Sequence, residues 1–163
     1  MSGRFELRRP LHFCAVGFGL GLAPVAPGTV GTLAALPFYL LLMGLPPWLY
    51  LAATVAAGVV GVHICGRAAD DVGVPDHSSI VWDEIVGFLV AAWPLLWGVT
   101  LGYGMWADLA AVFLLFRFFD AVKPWPISFL DRRLHGGVGI MVDDLAAGVA
   151  AALVLVGMAL LVG

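Results

Sequence analysis

Five apolar stretches, each about 15 to 18 residues long, run through the sequence: residues 30–45, 48–65, 85–101, 105–119 and 145–162. Each approaches the ~20 residues that a helix needs to cross the hydrocarbon core of a bilayer, and extension into the flanks closes the gap. A soluble core in a 163-residue chain does not absorb this much apolar surface: 62 % of the residues are hydrophobic and 12 % charged, against roughly 25 % charged in an ordinary soluble domain. The pattern predicts an all-α fold, an integral membrane helical bundle of about five transmembrane helices with cytoplasmic polar loops. The length suits one domain over residues 1–163, with 1–12 as a cytoplasmic arm and 13–163 as the bundle. Two cysteines exclude a disulfide scaffold, and eight basic against eleven acidic residues argue against a nucleic-acid partner.

The connections between the stretches differ. Pro46-Pro47 and Gly102-Tyr103-Gly104 are short and uncharged, whereas residues 66–84 and 120–144 are long and polar. If five helices alternate across the bilayer, the N-terminal arm and both polar segments fall on one side. All eight Lys and Arg then share that side: Arg4, Arg8, Arg9, Arg67, Arg117, Lys123, Arg132 and Arg133. The positive-inside bias makes it the cytoplasm and leaves the C-terminus outside. Trp48, Tyr50, Tyr103 and Trp106 fall at the outer turns, as an interfacial aromatic belt would.

Two acidic pairs carry the sharpest chemical signal. Asp83-Glu84 lies where the first polar segment enters the third apolar stretch, and Asp143-Asp144 where the second enters the fifth. Both are expected at the cytoplasmic N-terminus of a membrane helix. Capping is one reading, because carboxylates favour helix N-termini. The other is a divalent cation: adjacent carboxylates repel at a membrane boundary, and an all-oxygen set suits Mg²⁺ or Mn²⁺ better than Zn²⁺.

Around these pairs lie residues suited to a phosphate. Arg117 and Asp120 are three apart and share a helical face. They read either as a snorkelling ion pair or as an anion ligand beside a metal ligand. Lys123 sits in a Lys-Pro-Trp-Pro frame, and Asp131, Arg132, Arg133 and His135 follow it. The arginines read as lipid headgroup anchors or as substrate contacts. Gly28, Thr29 and Gly31 precede an apolar helix, where backbone N–H groups receive an anion or glycines permit close helix packing; spacing leaves these two equal. In the first polar segment, residues 76–79 either are solvated or fold over a metal site. His63 reads as a packing or interface histidine.

A transporter would need ionisable groups near mid-membrane, where only His63 interrupts the stretches, so this pattern speaks against a cation path. A non-catalytic subunit whose charges only anchor headgroups is the remaining alternative.

Four segments resemble a known family: GFGLGLAPVAPGTVGTLAALP from Gly17, HSSIVWDEIVGF from His77, FRFFDAVKPWPI from Phe116 and LDRRLHGGVGIMVDDLAAG from Leu130. Together they resemble phosphatidylglycerophosphatase A, a bacterial inner-membrane lipid phosphatase family. The resemblance implies a multi-pass inner-membrane enzyme with its active site facing the cytoplasm. It implies Mg²⁺-dependent hydrolysis of phosphatidylglycerophosphate to phosphatidylglycerol and phosphate. It matches Asp83, Glu84, Asp143 and Asp144 to the family's acidic motifs, and Asp120, Lys123, Asp131 and His135 to its other polar positions. Asp83, Glu84, Asp120, Asp143 and Asp144 are the expected metal ligands. Thr29, Arg117, Lys123 and Arg132 are the expected substrate contacts. Asp83, Glu84, Asp131, His135 and Asp143 are the expected catalytic groups, with His135 or Asp131 protonating the leaving oxygen. Leu20 stands where many relatives resemble GFGSG, which removes a hydroxyl role there. The absence of a DxDx[TV] motif favours direct attack by water over an aspartyl nucleophile. The oligomeric state is not readable from the sequence.

Overall fold

The computed structural model describes residues 5–162, so Arg4 of the basic set lies outside the described residues. Within them the fold is all-helical and no strand occurs. The α-helices are α1 (Pro10–Ala15), α2 (Pro27–Leu42), α3 (Pro47–Val72), α4 (Trp82–Ala92), α5 (Met105–Val122), α6 (Ile127–Arg133) and α7 (Gly136–Val162), with 3-10 turns at Gly17–Leu22 and Trp93–Trp97. Proline opens α1, α2 and α3, where its missing N–H has no helical partner to lose. Two helices are long and apolar enough to cross a membrane, α3 with 26 residues and α7 with 27; α2 is apolar but shorter.

Helix ends depart from the apolar stretches in both directions. The third stretch does not stay helical: α4 stops at Ala92, the 3-10 turn carries Pro94, and Gly98 closes it at φ 75°. Pro94 has no N–H to offer the Val90 carbonyl, and its ring crowds that carbonyl. Conversely, much of the expected polar loops is helix. α3 runs on to Val72 and ends only where Gly73, left-handed at φ 74°, hydrogen-bonds Ala69 and Asp70 through its N–H. The segment 120–144 holds the end of α5, all of α6 and the start of α7. Charge does not stop a helix; proline and left-handed residues do.

Asp143 and Asp144 therefore do not sit at a helix N-terminus. They lie about two turns inside α7, which starts at Gly136. The expected equivalence of the two acidic pairs fails, and capping explains neither Asp143 nor Asp144.

α7 is the central helix, packed by α3, α4, α5 and α6. Tyr50, Phe88, Phe116, Met141 and Leu155 are the largest fully buried side chains of the interior. Trp48, Tyr103 and Trp106 are exposed as an interfacial belt requires, but Tyr50 is not: its hydroxyl donates to the Leu89 carbonyl at 2.8 Å inside the core. α4 and α7 approach at backbone distance. A Cβ on Gly148 would stand 2.4 Å from the Gly87 carbonyl oxygen, and one on Gly87 would meet the Phe116 ring at 2.7 Å and the Asp144 carbonyl at 2.9 Å. The two helices run the same way here, with Glu84 one turn before Gly87 and Asp144 one turn before Gly148. The contact thus delivers both acidic pairs to one place.

Candidate metal and phosphate site

The first turn of α4 is fixed from two sides. Val81 donates its N–H to the Ala15 carbonyl at 2.9 Å, and the Trp82 indole donates to the Ala57 carbonyl of α3 at 3.1 Å. Asp83 and Glu84 consequently face the interior rather than solvent. Asp83 is buried, as are Asp143 and Asp144 on α7. One carboxylate oxygen from each of Asp83, Glu84 and Asp144 falls within 4.8 Å of the others.

Ordinary hydrogen bonding leaves this cluster unsatisfied. Asp83 Oδ1, Glu84 Oε2, Asp143 Oδ1 and Asp144 Oδ2 are buried with no hydrogen-bond partner. Unpaired buried carboxylates are strongly unfavourable, and more so when like charges adjoin. A hard divalent cation with oxygen ligands offsets both costs. The donor set has no His or Cys within it, which fits Mg²⁺ or Mn²⁺ rather than Zn²⁺.

Two basic groups flank the carboxylates. Arg117, near the end of α5, donates through Nη1 to Asp120 Oδ2 at 2.5 Å, and the Asp120 carboxylate lies against that of Asp144. Gly28, in the first turn of α2, closes over this group. A Cβ there would lie 2.6 Å from Glu84 Oε1 and 3.3 Å from both terminal nitrogens of Arg117. Thr29 is the next residue of that turn and is half-buried. Close packing also accounts for Gly31, whose Cβ would overlap Val81 at 2.4 Å. The glycine-rich segment is thus a packing device that seats the α2 N-terminus over the carboxylates.

Lys123 ends α5 in the left-handed conformation, φ 45°. Its ammonium donates to Asp131 of α6 at 2.8 Å and also to Asp143 of α7, tying three helices together. Burial works against the Lys123 ammonium, but the hydrogen bonds to Asp131 and Asp143 outweigh it and hold its pKa above the ordinary value. The same hydrogen bond holds the Asp131 carboxyl below the usual carboxylate range. Beside this clamp lies a pocket of about 140 Å³ whose polar side chains are Asp76, Asp131, His135 and Asp143.

Most expected site residues therefore converge. Asp83, Glu84, Asp120, Asp144 and Arg117 form one group, and Lys123, Asp131, His135 and Asp143 the adjoining one. Arg132 is not drawn in: it is exposed, and its Nε donates to the Ser128 carbonyl of its own helix at 2.9 Å. Arg133 stacks over Phe129 at 5.0 Å. His63 lies on the exposed face of α3. Sequence reasoning gave no role to His12, which is buried and docks the N-terminal arm. Its Nδ1 accepts the Glu6 N–H at 2.9 Å, which leaves Nε2 to donate to Asp71 Oδ2 at 3.1 Å, and Arg9 pairs with the same carboxylate at 2.8 Å. The only signal was His12 itself, one titratable ring at the edge of an apolar segment.

An all-helical protein with membrane-length helices and a buried carboxylate cluster beside basic groups is defined by these features. Residues 13–159 match the family model described as Phosphatidylglycerophosphatase A. The chain is 46 % identical over 154 residues to phosphatidylglycerophosphatase A of Escherichia coli K12, covering 94 % of this chain and 86 % of that protein. It is 41 % identical over 155 residues to phosphatidylglycerophosphatase A of Haemophilus influenzae, covering 93 % and 90 %. A third relative, from Bacteroides thetaiotaomicron, is provisionally named a phosphatidylinositol-3-phosphatase; it is 40 % identical over 138 residues, covering 82 % and 83 %. No solved structure matches. The chain belongs to the phosphatidylglycerophosphatase A family.

Proposed function

We propose that this chain is a Mg²⁺-dependent phosphatase that hydrolyses phosphatidylglycerophosphate to phosphatidylglycerol and phosphate. The observation that carries the reading is the convergence of Asp83, Glu84 and Asp144: one carboxylate oxygen from each lies within 4.8 Å of the others, and each residue has a buried oxygen with no hydrogen-bond partner. The names of the E. coli and H. influenzae relatives supply the substrate. Asp83, Glu84 and Asp144, with Asp120 and Asp143 adjoining, would hold Mg²⁺. When bound, the ion supplies charge neutralisation and Lewis-acid polarisation of the phosphoryl group.

The chain's own groups supply the rest. Arg117 and Lys123 neutralise non-bridging phosphoryl oxygens as negative charge shifts toward the leaving group. The guanidinium is already held against Asp120 and the α2 N-terminus, so it is oriented before substrate arrives. A carboxylate of the cluster orients the attacking water in line with the scissile bond. His135 and Asp131 line the neighbouring pocket. With the Asp131 carboxyl held below the usual carboxylate range by Lys123, His135 is the group that delivers a proton to the departing glycerol oxygen, and Asp131 positions the Lys123 ammonium. Thr29 contributes from the α2 turn, and Arg132 acts as a headgroup anchor at the surface.

In this reading residues 1–163 form one domain in the bacterial inner membrane. It crosses the bilayer five times, through α2, α3, α4 with its 3-10 extension, α5 and α7. The carboxylates then lie at the cytoplasmic face. Phosphate release from phosphatidylglycerophosphate in detergent, with Mg²⁺ and with EDTA, tests the chemistry. Activity should vanish in EDTA and return with Mg²⁺, and Asp144→Asn should lose about 100-fold or more. A thermal melt separates chemistry from folding. In EDTA, Asp144→Asn should melt above the wild type because one unpaired buried charge is gone. Saturating Mg²⁺ should reverse the order, since a ligand at ~100 times its Kd adds ~2.7 kcal/mol to the state it binds. Activity indifferent to EDTA, with no Mg²⁺ effect on either melt, would overturn the reading.

A further inference from the structure

We propose that one acyl chain of the lipid substrate lies in the groove between the Lys123 to Ile127 turn and α7; this rests on the lipid phosphatase reading above. The groove encloses about 440 Å³ and is almost wholly apolar, with Trp125, Pro126, Ile127, Ala146, Ala150 and Leu153 among its walls. Three observations select the occupant.

The groove is continuous with the phosphate site. Asp143, Ala146, Ala150 and Leu153 stand three, seven and ten residues apart on α7 and so occupy one face of that helix. At the upper end of this face Asp143 is held by Lys123, and Pro124, the next residue, already lines the groove. A headgroup on Lys123 therefore has an apolar track starting one helical turn away. The length also fits. Ten residues of α-helix rise ~15 Å, half of the ~30 Å hydrocarbon core and thus one leaflet. Finally, Trp125 is 80 % exposed beside the Lys123 end of the groove, the depth at which indole rings settle between headgroups and acyl chains. The other apolar pocket, between α3, α4 and α7, has Val55, Val59 and Val90 among its walls and does not include the Lys123 turn.

The experiment compares two substrates: diacyl phosphatidylglycerophosphate and its deacylated, water-soluble headgroup. Leu153→Trp, at an exposed position, and Ala150→Leu narrow the groove, while Val59→Trp fills the other pocket as control. Displacing the chain from the groove should misplace the headgroup at the Lys123 end and lower kcat/KM for the diacyl lipid by about tenfold or more, and leave the headgroup substrate within about twofold. Val59→Trp should change neither. Equal losses on both substrates, or no loss on either, would overturn the proposal. A wild type that fails to cleave the diacyl lipid would overturn the phosphatase reading with it, which separates the two failures. A second readout uses phosphatidylglycerophosphate with a photoactivatable mid-chain group. It should label the stretch containing Ala146, Ala150 and Leu153, and excess unlabelled phosphatidylglycerophosphate should suppress that label where phosphatidylcholine does not. Label on the Val59 face alone, or suppression by both lipids alike, would overturn the assignment.

Discussion

Lys123 is the residue on which the second half of the site turns. Its left-handed backbone ends α5 and aims one ammonium at two carboxylates from two further helices. The Asp131 arm of this clamp has a readable pH dependence. The folded pKa of Asp131 is lowered, chiefly by the Lys123 hydrogen bond, so its contribution is present above the unfolded value of ~3.9 and is lost as pH falls below it. The folded pKa of Lys123 is raised, so its contribution is complete below the unfolded ~10.4 and is lost as pH rises above it. Asp131→Asn should therefore lower the melting temperature by a nearly constant amount from about pH 5 to about pH 10. The difference should fade below about pH 4, where the wild-type carboxyl also loses its charge. With Asp131 39 % exposed, the plateau should be ~1 kcal/mol or less. Melting curves across that range check this, and a difference that widens below pH 4 would contradict it.

Between elements, the decisive contact is that of α4 with α7 at Gly87 and Gly148. The atom opposing a Cβ on Gly148 is a backbone oxygen at 2.4 Å, which has no rotamer to move. Gly148→Ala should push the helices apart, cost ~1–3 kcal/mol as overpacking does, and draw Asp83 and Glu84 away from Asp144. The expected signature is a lower melting temperature together with a loss of the Mg²⁺-induced rise. A variant that melts lower but keeps the full Mg²⁺ response would show that the contact serves stability alone. The same contact marks how far the sequence could be read. Asp83-Glu84 and Asp143-Asp144 stand out because doubled carboxylates flanked by apolar residues have few ordinary uses. The continuous apolar stretches also located α2, α3, α5 and most of α7. That Asp143 and Asp144 lie inside α7 was hidden, because helix starts were inferred from where charge ends. Gly136, left-handed at φ 65°, is the local start signal, and hydrophobicity does not register it. Tyr50 was misplaced for a related reason: an aromatic near a helix start suits a membrane interface and a core equally well, and only the Leu89 carbonyl opposite its hydroxyl decides.

For the whole molecule, contacts assign each helix end to one of two poles. Arg9 and His12 meet Asp71 at the end of α3, and α1 meets the start of α4 through Ala15 and Val81. Arg117 and Asp120 at the end of α5 adjoin Asp144 in the first third of α7. These ends share a single pole that holds the carboxylate cluster, the clamp and the pocket. The turns at Pro46 and at Gly102 to Gly104 lie at the opposite ends of the same helices. There, Asp108 is the one charge, and it is consumed internally: Thr100 Oγ1 and the Leu101 N–H both donate to it, at 2.7 and 2.9 Å. A pole with no Lys or Arg and a pole with every Lys and Arg among the described residues are what the positive-inside bias acts on. Single cysteines, introduced after Cys14 and Cys65 are replaced by alanine, test the assignment with a membrane-impermeant maleimide on intact inner-membrane spheroplasts. Cysteine at Gly102 should react without permeabilisation, whereas cysteine at Ser78 or Arg133 should react only after it. Arg133 reacting in intact spheroplasts while Gly102 stays protected would invert the orientation and carry the carboxylates to the outer face. All three reacting alike would mean that α3 and α7 pack on a membrane rather than through it.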